Sequence, residues 1–407
     1  MNNKKTFSLS GYNFFAAGAT YGIGNFLSAY LVGNLGWNPF KVGILLGLAN
    51  LSTILLLIPV GLLVDSYARK IRSMFVLLTL IIGIGLFSYI KLTLMNIALI
   101  QLLLGAAVAL LPIAIASLTA DLFTQTQFSR QTGINQISNR LGNMAFVLLI
   151  AGLTQYFNER FFLLNLSVLS SFSLIFLFTL KQENLFYANK HQSKELISIK
   201  KIAILFQQRS LMMFTLVTVL YHLVHASMGI TLSEQVALRY TTHKMGYISD
   251  MLLVIEIVSI LTTALVCRNI NHWNHSRIFL FSLSLLTLQG CYYLVITNFT
   301  ALLVMQVIEG IGVGISEYMF ILLVAKMTQH LGIFNVAQGF IISLQWLGVL
   351  VGKIIIGYVV NSLGFNAAYI ILILISLLAC VLFMVIPALQ QLEPDNFSSH
   401  LMQDISV

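Results

Sequence analysis

Twelve stretches of about 20 residues run almost free of charge along the chain, at approximately 9–33, 42–64, 74–90, 94–123, 131–157, 160–180, 211–234, 246–267, 278–296, 299–326, 334–361 and 367–389. A helix needs about 20 apolar residues to cross the hydrocarbon of a bilayer. Lipid offers the backbone no hydrogen-bond partner, so runs of this length satisfy their amides internally, as helices. The fold class that follows is an all-α membrane protein with twelve transmembrane helices. Composition agrees, because 58% of the 407 residues are hydrophobic and 9% are charged, against about 25% charged in a soluble domain. A water-soluble fold has too little interior to hide that much apolar surface. The first run follows Lys4 and Lys5; it is too long for a signal-peptide core and lacks a clear cleavage site, so it reads as the first span.

The net charge of +9 is spread singly between the runs and forms no basic stripe, which argues against a nucleic-acid partner. The N-terminus and the even-numbered connections hold fifteen lysines and arginines, the odd-numbered ones five. The positive-inside rule then places both termini in the cytoplasm. The longest polar segment, Lys181–Arg209, divides the runs six and six. Three regions are expected: a six-helix bundle over 1–180, a cytoplasmic linker over 181–210, and a second bundle over 211–407 that ends in a short cytoplasmic tail. A repeat supports the division. Gln101 to Gly105 recurs as Gln306 to Gly310, and Leu141-Gly142 recurs as Leu347-Gly348, at offsets of 205 and 206. Parallel repeats of this kind place a solute site near the midplane between two pseudo-symmetric halves. The three cysteines, Cys267, Cys291 and Cys380, have no metal-ligand spacing and read as buried small apolar residues.

Between the second and third runs lies GLLVDSYARKIR, Gly61 to Arg72, the densest charge in the first half. It resembles the signature GxxxDxxGRR of the major facilitator superfamily (MFS), with Gly61, Asp65, Arg69 and Lys70 in register and Ala68 replacing the second glycine. With the span count and the central linker, the resemblance covers the whole chain. It implies two six-helix bundles of the MFS fold and a gating loop in which Asp65, Arg69 and Lys70 exchange partners while Gly61 lets helices approach. The alternative is a basic cytoplasmic loop with one incidental acid. Gln101 stands where many drug-exporting relatives carry an arginine, and no GlyPro motif occurs near Gly142 to Gly152. The second-half copy of the loop, around Arg268 to Arg277, lacks the Gly and Asp. These departures weaken a multidrug-antiporter reading.

Spans three, six, nine and twelve have no Asp, Glu, Lys, Arg or His in their apolar cores, and the resemblance makes them the lipid-facing periphery. Ionisable residues instead occupy spans five, seven, eight, ten and eleven, as Arg140, His222, His225, Glu256, Glu309, Glu317 and Lys353. Each costs on the order of 3 kcal/mol at mid-bilayer, so a shared polar cavity is the simplest cause. Glu256, Glu317 and Lys353 lie near the centres of their spans, open either to a structural Glu–Lys353 bridge or to a carboxyl that takes up a proton. Glu309 and Glu317 are staggered by about 12 Å along one helix, and Glu309 reads as nearer the external end, where water can reach it. His222 and His225 share a helix face; with no further ligand nearby, hydrogen bonding is favoured over a metal. Arg140, beside Gln136 and Asn139, either snorkels or holds an anionic solute group. Tyr21 and Asn25 are expected to line the same space.

The resulting expectation is a secondary active transporter of a small polar or amphiphilic solute, working by alternating access, with proton symport preferred. Proton-driven efflux of drug, sugar or siderophore is the alternative, and a membrane-embedded enzyme or sensor the rival class. No GxxxxGK[ST] or HExxH motif occurs, which argues against ATP-driven or zinc-protease chemistry. No cofactor is expected. The expected partners are solute, protons and the lipid of a bacterial cytoplasmic (inner) membrane, with the chain acting as a monomer.

Overall fold

The computed structural model describes residues 3–20, 23–63, 67–123, 125–158, 160–182, 207–240, 243–269, 272–295, 298–328 and 334–386. Among these residues the regular structure is helical: α1 Asn3–Thr20, α2 Ile23–Gly33, α3 Pro39–Leu63, α4 Tyr67–Ile90, α5 Leu94–Leu122, α6 Gln125–Tyr156 and α7 Phe161–Gln182. The second series is α8 Arg209–Arg239, α9 Lys244–Asn269, α10 His275–Val295, α11 Phe299–Thr328, α12 Phe334–Leu363 and α13 Phe365–Met384. Eleven of them are long and apolar enough to cross a membrane. The first expected span corresponds to α1 and α2 together, the latter a short apolar helix.

Short polar side chains start the helices where the apolar runs begin. Asn38 Oδ1 accepts a hydrogen bond from Phe40 N at 2.8 Å, with Pro39 at the first helical position, where a missing N–H costs nothing. Thr93 caps α5 through Asn96 N, Asn274 caps α10 through Arg277 N, and Asn298 caps α11 through Ala301 N. Between α2 and α3 the chain turns at Gly36, whose φ of 63° is left-handed and favours glycine. The stretch 61–72, expected as a loop, is mostly helix: α3 runs to Leu63 and α4 starts at Tyr67. Charged side chains do not stop a helix whose end reaches water, so the charge pattern alone overstated the loop.

Two compact units emerge, Met1–Ser193 with Gly229–Leu253 and Lys353–Ser362, and Lys194–Met228 with Val254–Gly352 and Leu363–Val407. In the first, α3 packs on α5, α1 on α6 and α7, and α4 on α5 and α7; in the second, α10 packs on α11 and α13. The repeated glycines explain why. A Cβ at Gly105 would meet the Ala49 carbonyl and Ser52, and one at Gly310 the Ile255 carbonyl and Val258. Ala49 and Ile255 lie 206 positions apart in sequence, as do Ser52 and Val258. A Cβ at Gly142 would meet the Phe14 carbonyl, and one at Gly348 the Val219 carbonyl, again 205 positions apart. The sequence echo therefore marks equivalent helix contacts, small residues letting backbones close up. Hydroxyls reinforce both: Thr53 Oγ1 donates to Gly105 O at 2.9 Å, and Thr263 Oγ1 to Gly314 O at 3.0 Å. Gly352 seats its helix against Leu223 and Ser227, so the GxxxG of Gly348 and Gly352 is a packing device.

Helix α13, with a mean hydropathy of 2.9, exposes Ile370, Leu374, Leu377, Leu378 and Val381, and α4 exposes Val76, Leu80, Leu86 and Phe87. Apolar rows of this kind are the surface that lipid covers. Two cysteines depart from expectation: Cys267 and Cys291 are exposed, and only Cys380 is buried. A thiol is apolar enough to face outward where hydrocarbon, not water, is the solvent.

Gly142→Val and Gly348→Val should each destabilise the protein by about 1–3 kcal/mol through overpacking. Gly152→Ala, where an added Cβ meets nothing within 4 Å, should leave the melting temperature unchanged or slightly higher. Thermal unfolding followed by tryptophan fluorescence in detergent distinguishes the two classes.

Candidate functional site

In the second unit, α8, α10, α11 and α12 each turn one polar row toward a common interior. On α8 the row is Thr218, Tyr221, His222 and His225, spaced three, four and seven residues from its first member and so on one face. On α11 it is Glu309, Ser316 and Glu317; α10 contributes Gln289 and Tyr293, and α12 contributes Gln338 and Gln345.

Glu309 sits at the centre of a buried cluster, only 7% exposed. Its Oε1 lies 3.4 Å from His225 Nε2, an ion pair when the imidazole is protonated. Its Oε2 accepts from Gln289 Nε2 and, at 3.3 Å, from the Tyr293 hydroxyl. That hydroxyl in turn accepts from Gln289 Nε2 at 2.7 Å and from Gln306 Nε2 at 3.0 Å. Donors converging on one carboxylate are the arrangement that a buried negative charge requires. The expectation of a water-exposed Glu309 near the external end gives way here: α10 supplies neutral amide and phenol groups that stand in for water. A void of about 10 Å³ beside His225 and Glu309 is near the smallest that one water needs.

A larger cavity, about 220 Å³, opens next to this cluster. Glu317 and His222 line it, with Thr218, Ser316, Gln338 and Gln345 as uncharged polar wall and Phe279 and Phe320 as aromatic wall. His222 Nδ1 lies 2.8 Å from Thr218 O. Since a carbonyl can only accept, that nitrogen carries the proton, and in the neutral ring Nε2 is left as an acceptor. One residue joins the two sites. The Tyr221 ring stacks on His225, centroids 5.8 Å apart and planes 4° from parallel, while its hydroxyl lies 2.7 Å from Ser316 Oγ in the cavity wall.

The remaining expected residues lie elsewhere. Glu256 on α9 is 3% exposed and is absent from the walls of both cavities. Lys353 on α12 belongs to the first unit, where Nζ donates to Asn50 Oδ1 at 2.8 Å; its hydrogen bond goes to an amide, not to the glutamate that opposite charge suggested. Arg140 and Asn139 are half-buried on α6 and Gln136 is exposed. Asn25, half-buried on α2, has its Oδ1 3.9 Å from where a Cβ at Gly229 would sit. Tyr21 and Asp65 lie outside the described residues, as do the side chains of Arg69 and Lys70, while Gly61 falls in the last turn of α3.

Reading for ionisable residues missed the neutral partners: Tyr221, Ser316, Gln289, Tyr293, Gln306 and Gln345. Their signal was present as helical spacing: all but Gln345 lie three, four or seven residues from one another or from a charged group on the same helix, and Gln345 lies seven from Gln338. It also missed Glu234, 3% exposed near the end of α8. Lys244, counted as a loop base, is buried and donates from Nζ to Gly33 O at 3.0 Å, capping the C-terminal end of α2.

The family model of the Major Facilitator Superfamily matches residues 9–268 and 214–400. Two uncharacterised MFS-type transporters, from two strains of Mycobacterium tuberculosis, are each 25% identical over 365 residues, covering 88% of this chain and 87% of theirs. Among solved structures, the nucleoside transporter NupG superposes with a TM-score of 0.76 at 13% identity, covering 97% of this chain and all of that one. A bacterial homologue of the human lysosomal transporter Spinster, in an inward-facing and unoccupied conformation, gives 0.73 at 10% identity, with coverages of 96% and 98%. A peptide transporter, POT, in complex with alafosfalin gives 0.70 at 13% identity, with 95% of both chains covered.

Glu309→Leu should destabilise the protein by about 3 kcal/mol, because Gln289, Tyr293 and His225 would keep buried polar atoms without their acceptor. Glu309→Gln, which retains an acceptor, should cost about 1 kcal/mol. The order of the two melting temperatures checks the cluster.

Proposed function

We propose that this chain, which belongs to the Major Facilitator Superfamily and is an integral multi-pass membrane transporter, moves a small polar solute by alternating access coupled to protons. The observation that carries the reading is Tyr221, which touches a buried carboxylate–histidine pair with its ring and the wall of a polar cavity with its hydroxyl. A coupled transporter needs that division: one group whose charge changes, one place where solute binds, and a rigid element between them.

In this reading Glu309 and His225 handle the proton and Glu317 faces the solute. Neutralising Glu309 removes the charge that holds His225; the imidazole is then released from its acceptor, Tyr221 moves with it, and the Ser316 wall is reshaped. Because a ligand shifts an equilibrium only by its differential affinity for two states, the solute must favour one position of Tyr221. Residues 1–180 and 211–407 are taken as the rocking lobes, with both termini and the linker in the cytoplasm. Asp65, Arg69 and Lys70 are taken as the cytoplasmic gate, and Arg140, Asn139, Gln136, Asn25 and Tyr21 as the first lobe's contribution to the solute path. Symport is the preferred direction, and the antiport alternative moves solute against the same proton gradient.

In proteoliposomes, Glu309→Gln should reduce accumulation driven by a pH gradient at least about tenfold while leaving solute exchange at equal concentrations intact, since a lost protonation step is a lost driving force. Unchanged accumulation would reject Glu309 as the proton carrier. Inverting the gradient separates symport from antiport. At the gate, Asp65→Asn should slow turnover without weakening solute binding, and a normal turnover rate would make Asp65 incidental.

A further inference from the structure

We infer that the cavity between α8, α10, α11 and α12 receives the amide or lactam group of a small, flat, uncharged solute; this rests on the transport reading and names its substrate class. Two walls of the cavity make opposite demands. Gln345 on α12 is 6% exposed, and its Nε2 donor has no hydrogen-bond partner. A buried donor left without an acceptor is costly, and an oxygen on the solute relieves it. On α8, His222 Nδ1 is committed to the Thr218 carbonyl at 2.8 Å. The neutral ring then offers its Nε2 lone pair, which takes a donor. An ammonium group has donors only and a carboxylate acceptors only, so each satisfies one wall and fails the other. An amide carries an N–H and a C=O side by side and satisfies both. A neutral solute is also insensitive to how the Glu317 carboxylate in the same wall is compensated.

Helix packing brings the two demands within reach of one molecule. Gly348 of α12 seats on Val219 of α8, and Gly352 on Leu223, so the two helices run parallel in a fixed register. In that register Gln345 lies six residues, about 9 Å along the axis, from the level of His222. The His222 ring closes part of that distance by folding back on Thr218. Another part of the wall is flat and aromatic. Phe279 and Phe320 line the cavity and both pack on the buried Phe214, with centroids 5.7 and 6.2 Å away, and Tyr221 adds a third ring. Ring faces of this kind hold a planar solute by stacking. The volume, about 220 Å³, is below the roughly 300–1,000 Å³ of drug-sized sites, which limits the solute to a single ring.

The test uses the purified full-length chain in detergent and three single-ring probes measured by calorimetry near neutral pH: benzamide, benzoate and benzylamine. The first offers a donor beside an acceptor, the second acceptors only, the third donors only. Benzamide should bind at least about fivefold more tightly than either charged probe, the scale of one neutral hydrogen bond. Gln345→Leu should remove the advantage over benzylamine, and His222→Phe the advantage over benzoate. Because Gln345→Leu deletes an unpartnered buried donor, its melting temperature should stay unchanged or rise; a marked fall would make Gln345 a packing residue and overturn the assignment. Equal affinity for the three probes, tighter binding of a charged one, ratios unmoved by both substitutions, or no binding of benzamide at millimolar concentration overturns it as well. If other solutes still move under a pH gradient, the transport reading survives that failure; if none moves in either direction, the transport reading falls instead.

Discussion

The absence of water inside a bilayer sets every other feature of this protein. A backbone with no solvent to bond must bond to itself, which makes each apolar run a helix. The same rule reaches the side chains. Any polar group carried into the membrane has to find a partner from a neighbouring helix, and the donors that surround Glu309 are the outcome. Gln289 and Tyr293 lie on α10, a helix with no charged group in its apolar core, yet they complete the site. Their outward-facing neighbours Phe281 and Leu288 are exposed, so one helix serves lipid on one face and a carboxylate on the other.

The glycine contacts follow from the same rule. Without a hydrophobic drive between helices in lipid, close packing and hydrogen bonds must supply the attraction. Gly105 and Gly310, and Gly142 and Gly348, bring backbones close at equivalent positions of the two halves. Those contacts fix the rotation of each helix about its axis. They thereby decide which residues of α8 and α11 face each other, and Glu309 lies one residue before Gly310. The packing glycine and the buried carboxylate are neighbours, so a change to the first misdirects the second.

The candidate site was legible in part. Glu309, Glu317, His222 and His225 stood out because a charge in an apolar run is conspicuous, and all four fall in or beside the paired cavities. Glu256 and Lys353 were equally conspicuous and take other places, since the sequence gives depth along a span but not the direction in which a side chain points. The neutral members were invisible for a different reason: a glutamine or tyrosine in a membrane helix is common enough to pass as packing. The stretch 61–72 misled in another way, its charges suggesting a loop where α3 continues to Leu63 and α4 starts at Tyr67.

By itself the sequence determined the all-helical membrane fold, the approximate places of its apolar helices, eleven of which are long enough to span where twelve spans were expected, and the repeat marked by the paired glycines. These depend on composition and periodicity, which are local or nearly so. Only the tertiary structure decided that His225 belongs with Glu309 while His222 belongs with Glu317, and that Tyr221 stands between them. Two histidines three residues apart share a helix face, but a rise of about 4.5 Å along the axis is enough to place them at different levels of that face. What each one meets is set by the helices packed against it.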